Sequence, residues 1–302
     1  MENPEHSPAS RGLVSVGFMT HNRAGTFLRE ALESLLAQTY KNFEIIISDD
    51  ASTDDTEKIC KEYAAQDKRI RYIRQERNIG FVYNPDFVVS QARGEYFLWA
   101  CDDDRWDPGF LEKCVDKFRE DPEAIMVFTR FNDVFLDGSF VKTYDPKKFF
   151  PFERDLFGRL RSYTLFYAND LKSVLQYGLW RLQAMKDIAM SGPQGLPRHD
   201  GWWGFNILFI YRALAKGPFA FVDETLFFRR TKVKEKKLKK RNFIARLFWS
   251  FKGRLEKIFN NPLFYLIIWF TLRIKKLSFG QRLYLALLNI YVMARLLFRR
   301  KI

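Results

Sequence analysis

Carboxylates able to hold a cation or a nucleotide occur in two tight runs, Asp49-Asp50 within SDDASTDD and Asp102-Asp103-Asp104 within ACDDDRWDP. Three consecutive carboxylates repel one another. A divalent cation relieves that repulsion and keeps coordination positions open for substrate phosphate oxygens, which is what neutralising a leaving diphosphate requires. The competing reading is a solvated acidic loop ahead of a helix N-terminus, where negative charge is favoured anyway. For Asp49-Asp50 it is capping and turn formation, although two adjacent aspartates before Ser52-Thr53-Asp54 exceed what one cap needs. Asp200 stands in RHDGWWG beside His199, Trp202 and Trp203, where the residues by themselves read as a helix N-cap and core aromatics.

The elements around these runs repeat. Residues 13–128 alternate short apolar segments (LVSVGF, FEIIIS, RIRYIR, EYFLWA, AIMVF) with helical patterns over 26–37, 54–65, 81–92 and 108–119. Such alternation predicts βαβ units, hence an α/β fold with a mainly parallel central sheet. Ligands of open parallel sheets bind beyond the carboxyl ends of the strands, where Thr20-His21-Asn22-Arg23, Asp49-Asp50 and Asp102-Asp103-Asp104 all fall. Asp54 and Glu57 have capping-box spacing, and Pro108 suits a first helical turn. Beyond Arg130 the pattern loosens into aromatic-rich segments with turn residues, followed by a helix over 200–215 and a strand-like PFAFV.

A chain of 302 residues with 47% hydrophobic residues can bury a sizeable core, which excludes disorder as the default. Its +14 charge is unevenly placed: from Arg229 onward 21 Lys/Arg face two Glu, so that part is +19 and residues 1–228 are net −5. Cys60, Cys101 and Cys114 form no CxxC pair, and three histidines are scattered, which argues against a disulfide framework or a zinc site and for a reducing compartment. Residues 1–11 read as a disordered polar lead-in without an apolar core. In the tail, 231–302, TKVKEKKLKKR precedes three apolar stretches bounded by Lys or Arg, each short of the ~20 residues a membrane-spanning helix needs. Helices lying in the membrane interface account for both length and charge, whereas a nucleic-acid surface has no use for PLFYLIIWFTL.

In order along the chain, VSVGFMTHNR, SLLAQTYKNFEIIISDDASTDDT, ERNIGFVYNPDFVVSQARGEYFLWACDDDRWDPGFLE and RHDGWWGFNILFIYRAL resemble the family 2 glycosyltransferases. The resemblance covers residues 12–230 and implies a Rossmann-like GT-A fold with inverting transfer from a nucleotide-diphospho-sugar. It assigns Thr20 and Asn22 to the nucleotide pocket, Asp50 with Asp49 to the base, and Asn84 to a donor contact. A carboxylate suits the imide N–H of uracil or thymine, so the resemblance points to a UDP- or dTDP-sugar. Alignment through Trp106 and Pro108 puts Cys101 at the first position of the DxD motif and Asp103 at the second. Asp103 is then the ligand for manganese or magnesium, Asp102 a ribose or metal contact, and Asp104 a more distant or acceptor-side group. Asp200 falls at the catalytic-base position, with His199, Trp202 and Trp203 toward the acceptor. A saccharide or lipid-linked saccharide acceptor, in cell-surface polysaccharide or glycolipid synthesis at the cytoplasmic face of a membrane, fits the basic tail. Because cysteine is a poor ligand for hard cations, a catalytically impaired, membrane-associated nucleotide-sugar-binding protein is the alternative.

Overall fold

The computed structural model describes residues 12–148, 153–165, 173–188, 202–231, 267–268 and 271–298. A single sheet organises them. Strands β1 (Val14–Thr20), β2 (Phe43–Asp49), β3 (Ile70–Arg74) and β4 (Tyr96–Cys101) alternate with helices α1 (Leu28–Leu36), α2 (Thr56–Gln66) and α3 (Gly80–Gln91). Next come β5 (Arg105–Trp106), α4 (Phe110–Glu120), β6 (Met126–Val134), β7 (Phe140–Tyr144), α5 (Leu156–Leu165), β8 (Leu179–Arg181), α6 (Leu182–Ile188), α7 (Trp202–Lys216), β9 (Phe219–Arg230) and α8 (Phe279–Phe298). The strand order is β3-β2-β1-β4-β8-β6-β9-β5, with β7 on β6. The long strands pair in parallel (β3-β2-β1-β4 and β6-β9), and the antiparallel pairs all involve the short β5, β7 or β8. This is an α/β fold with a mostly parallel central sheet.

The apolar runs explain the order. β1 and β4, central and covered on both faces, are buried almost throughout, whereas the outer β3 is half exposed. Helix α1 buries Leu28, Ala31, Leu32 and Leu35, the i, i+3, i+4, i+7 stripe that a helix lays on a sheet. A Cβ on Gly17 would lie 2.6 Å from Phe97 and 2.8 Å from Val88, so only glycine lets α3 approach β1 this closely.

The chain builds β1 to β3 outward in one direction, then crosses back through α3 to place β4 on the other side of β1. That reversal opens a crevice between β1 and β4, beyond their carboxyl ends. The register aligns Thr20 with Asp49 and Met19 with Cys101, so the polar residues after three strands emerge side by side.

Several boundaries differ from expectation. The Asp54/Glu57 capping box does not form: Asp54 accepts the N–H groups of Thr56 and Ala24, and Glu57 pairs with Lys61 and Arg74. Pro108 precedes α4 rather than opening it, and Gly109 is its N-cap. PFAFV proves to be the start of β9, a strand of 12 residues. Strands β5, β7 and β8 were not foreseen, being too short for a period to register.

In the tail, LYLALLNIYVMARLL lies in α8, while FIARLFWSF and most of PLFYLIIWFTL fall outside the described residues. Ser278 and Gln281 form a reciprocal capping box before α8. The described tail packs onto the domain: Ile274, Leu277 and Leu285 join the main core, Tyr211 hydrogen-bonds Thr271 at 3.1 Å, and the Phe157 and Tyr284 ring centroids are 5.7 Å apart.

Candidate active site

A cleft of about 450 Å³ lies over the β1/β4 crevice, lined by Thr20, His21 and Arg23 after β1, Asp50 after β2, Asn78, Gly80 and Asn84 around the start of α3, and Cys101, Asp102 and Asp103 after β4, with Met19 and Tyr177. The loops after β1 and β2 are stitched together by their small polar residues. The Asn22 N–H donates to Ser52 Oγ (2.9 Å), Thr53 N–H to Asn22 Oδ1 (2.8 Å) and Arg23 N–H to Thr56 Oγ1 (2.7 Å). Asn22 and Ala51 adopt positive φ, 53° and 57°, the left-handed turn that asparagine tolerates and alanine holds only under strain.

Asp50 is fixed by backbone. Its Oδ1 accepts the Ile79 N–H at 2.6 Å and its Oδ2 the Gly80 N–H at 2.9 Å, at the N-terminus of α3 where a carboxylate is favoured. Gly80 has φ +76°, which presents that N–H without strain. Each oxygen keeps a lone pair for a ligand. Asn84, buried, accepts from Ser48 Oγ through Oδ1 at 2.5 Å.

Two expected nucleotide contacts serve the framework instead. Asp49 is fully buried and does not line the cleft; its Oδ1 accepts the Ser52 N–H (2.9 Å) and its Oδ2 the Tyr72 hydroxyl (2.7 Å). It is the last residue of β2, whereas Asp50 is the first residue beyond the strand. Asn22 is exposed and also outside the lining, its side-chain oxygen engaged by Thr53.

The acidic run after β4 divides by direction. Asp102 pairs with Arg23 (Nε to Oδ1 3.2 Å), yet burial, only partly offset by Arg23 and reinforced by Asp103, pushes its carboxyl up to about 6. Cys101, Asp103 and Asp104 bring their ligand atoms within 4.8 Å of one another, the one such group among the described residues. Asp104 is buried and its carboxyl lies well above the ordinary range, first through burial and then through Asp103. Burial and the neighbouring aspartates also raise the Cys101 thiol well above its ordinary value, and its sulfur lies 3.5 Å from the Tyr177 hydroxyl. This donor set fits one hard cation held by carboxylate, because anions crowded in a poorly solvated place gain most from it. The protonated thiol adds little to such a site.

Arg229 and Arg230 do not face the cleft as free cations. Arg229 grips Asp133 with two bonds of 2.8 and 2.9 Å. Arg230, its side chain 3% exposed, donates to the Asp103 carbonyl (2.8 Å) and pairs with Glu30, while its backbone N–H donates to Asp104 Oδ1 (2.9 Å). Sequence reasoning missed this latch, and it also missed Arg23 and Tyr177. Arg23 sits inside THNR and was readable as a charge near the acidic run, but nothing in the sequence around Tyr177 links it to Cys101. Asp200 and His199 lie outside the described residues, and Trp202 and Trp203 form the first turn of α7.

GlyG of Streptococcus pneumoniae is 34% identical over 128 residues, 42% of this chain and 42% of that protein. Chondroitin synthase of Escherichia coli is 33% identical over 129 residues, 43% of this chain and 18% of that protein. The match spans less than half the length of either relative. Among solved structures, residues 1-349 of S. aureus TarS in complex with UDP-GlcNAc superimpose with a TM-score of 0.63 at 18% identity, covering 92% of this chain and 72% of that one, a likeness of fold. The model of the family described as Glycosyl transferase family 2 matches residues 15–175, more than half of the sequence, and the chain belongs to that family.

Proposed function

We propose that this glycosyltransferase moves a sugar, with inversion, from a UDP- or dTDP-sugar to an acceptor hydroxyl of a saccharide or lipid-linked saccharide at the cytoplasmic face of a membrane. The observation that carries the reading is the convergence of Asp50, Asp102 and Asp103, from the ends of β2 and β4, on one cleft at the sheet's reversal point. Asp50, held by two backbone N–H groups, is oriented to accept the imide N–H of the base. Thr20, Asn84 and Asp102 line the path from base toward diphosphate, with Asp102 steered by Arg23. Asp103, with Asp104 beside it, would hold manganese or magnesium, which when bound supplies positive charge for the departing diphosphate. Asp200 is the proposed base, taking the acceptor proton while the hydroxyl oxygen attacks the anomeric carbon opposite the leaving group, with His199, Trp202 and Trp203 toward the acceptor. The known ligand of the TarS structure, UDP-GlcNAc, supports a uridine donor.

The tail supports the membrane assignment through its charge and through α8, which exposes Phe279, Leu283, Leu287 and Ile290. Among the described residues no helix is long and apolar enough to cross a membrane; the exposed apolar row of α8 beside basic residues supports a peripheral association. A second reading, a binding protein with impaired catalysis, is favoured by Cys101, whose thiol lies against Tyr177.

A thermal-shift series with UDP, dUDP, dTDP and GDP, with and without manganese, tests the donor side, since a ligand of the folded state raises its melting point. Uridine or thymidine diphosphate should stabilise the protein only with metal. Asp200→Asn should retain that shift and abolish sugar transfer; transfer at the wild-type rate removes Asp200 from the mechanism, and no transfer by the wild type with any UDP- or dTDP-sugar selects the second reading.

A further inference from the structure

Arg23 is the one lysine or arginine among the described residues that line the donor cleft, against the carboxylates of Asp50, Asp102 and Asp103. Its backbone is fixed: the N–H donates to Thr56 Oγ1 at 2.7 Å, and the carbonyl accepts the N–H and the hydroxyl of Thr26 at 3.1 and 2.9 Å. The side chain is held far less firmly. It is 44% exposed and meets Asp102, its one ion-pair partner among the described residues, by an approach of Nε at 3.2 Å. Arg229, by contrast, closes both bonds of a fork on Asp133, and Arg230 is engaged by Glu30 and the Asp103 carbonyl behind the acidic loop. A guanidinium presents five donors in a planar fork, so a contact through Nε leaves the edge formed by the two terminal nitrogens for another acceptor.

We propose that Arg23 binds the diphosphate of the nucleotide-sugar donor through that terminal edge while its Nε stays with Asp102. The inference rests on the donor reading of the cleft and names the residue that supplies charge the cation alone does not. A nucleotide diphosphate brings several negative charges into a cleft that already presents the carboxylates of Asp50, Asp102 and Asp103, and one divalent ion does not balance both sets. The remainder must come from the protein, and Arg23 is the group in the lining that carries it. Its place fits that task. The contact with Asp102 sets the guanidinium beside the acidic run, where Asp103 would hold the cation, whereas Asp50 is tied to the start of α3. Arginine meets phosphate oxygens with two parallel bonds, which fixes orientation as well as adding charge. An exposed arm on an anchored loop can turn that edge to the ligand without moving the backbone, and Asp102 keeps the arm at the cleft.

Isothermal titration of UDP into the full chain at saturating manganese, alone and in competition with uridine, reads the diphosphate separately from the nucleoside. Arg23→Gln should weaken UDP about tenfold, the loss of a charge-assisted fork, and leave uridine within about twofold. Arg23→Lys, which keeps the charge and loses the fork, should fall between wild type and Arg23→Gln for UDP. In an Asp102→Asn background Arg23→Gln should still weaken UDP by a similar factor, because the terminal edge does not act through Asp102. The melting point of each unliganded variant reports that it is folded. Equal losses for UDP and uridine, or a loss that disappears in the Asp102→Asn background, show that Arg23 only holds Asp102 in place and overturn the proposal. UDP affinity unchanged by Arg23→Gln overturns it as well, and in all three cases the donor reading stands. Failure of the wild type to bind UDP with metal overturns the donor reading and the role of Arg23 with it, a result read on wild type before any variant is made.

Discussion

Arg230 donates to the backbone carbonyl of Asp103 at 2.8 Å, tying the end of the last sheet strand to the loop proposed to hold the cation. The same residue's N–H engages Asp104, and its guanidinium stacks 3.8 Å from the Phe27 ring centroid and pairs with Glu30. The acidic loop is therefore positioned from behind by a cation that does not itself reach the donor cleft.

Arg230→Met should accordingly weaken metal-dependent binding more than it weakens the fold. Losing one charge-assisted bond to the loop is worth about 1.5 kcal/mol, roughly tenfold in affinity. Manganese titration of UDP binding measures it. An unchanged manganese midpoint in a folded variant shows that the latch does not set the loop.

Asp102 makes a prediction about pH. Its folded pKa of about 6 lies above the ordinary 3.8, so the native state holds this proton more tightly than the unfolded chain. Its ionisation lowers stability as pH rises from about 4 to 6, and the full cost, on the order of 3 kcal/mol, persists above that. Asp102→Asn should therefore stabilise the metal-free protein at pH 7.5 and do little at pH 4. Urea denaturation in a chelator checks this, and a variant less stable at pH 7.5 contradicts it.

Cys101, its thiol raised well above the ordinary value, brings its sulfur within 4.8 Å of carboxylate oxygens of Asp103 and Asp104. Cys101→Asp supplies a hard donor there, so the manganese or magnesium concentration for half-maximal UDP binding should fall about tenfold. Because it adds another buried anion, the variant should also be less stable without metal. Isothermal titration with each ion reads the first effect, and equal affinities would mean that Cys101 does not face the ion.

The parallel half of the sheet was legible because β1, β2 and β4 are apolar runs separated by helices of regular length, and the position of Asp50, Asp102 and Asp103 follows from any such sheet. What was not legible depends on contacts far apart in sequence. Arg230 and Asp103 are separated by the whole region from β5 to β9, and Tyr177 reaches Cys101 only because β8 inserts beside β4. Likewise, the family resemblance put Asn22 in the nucleotide pocket and sequence spacing put Asp54 in a capping box, but the hydrogen bonds that close the two adjoining loops claimed both first.

The sharpest difference lies between the neighbours Asp49 and Asp50. Asp49 faces the framework, accepting from Ser52 N–H and the Tyr72 hydroxyl, and Asp50 faces the cleft. Asp49→Ala leaves a buried N–H and the half-buried Tyr72 hydroxyl without an acceptor, the first at about 1–3 kcal/mol and the second at less, so the protein should lose about 2–3 kcal/mol of stability while UDP affinity in the folded fraction stays within about threefold. Asp50→Asn keeps one oxygen for the α3 N-terminus but turns an amide donor toward the remaining N–H or the base, and uridine binding should fall by roughly a hundredfold with a smaller change in stability. Paired denaturation and UDP titration separate the two effects. A uridine affinity lost in Asp49→Ala but kept in Asp50→Asn would reverse the assignment, and with it the direction from which the base enters the cleft.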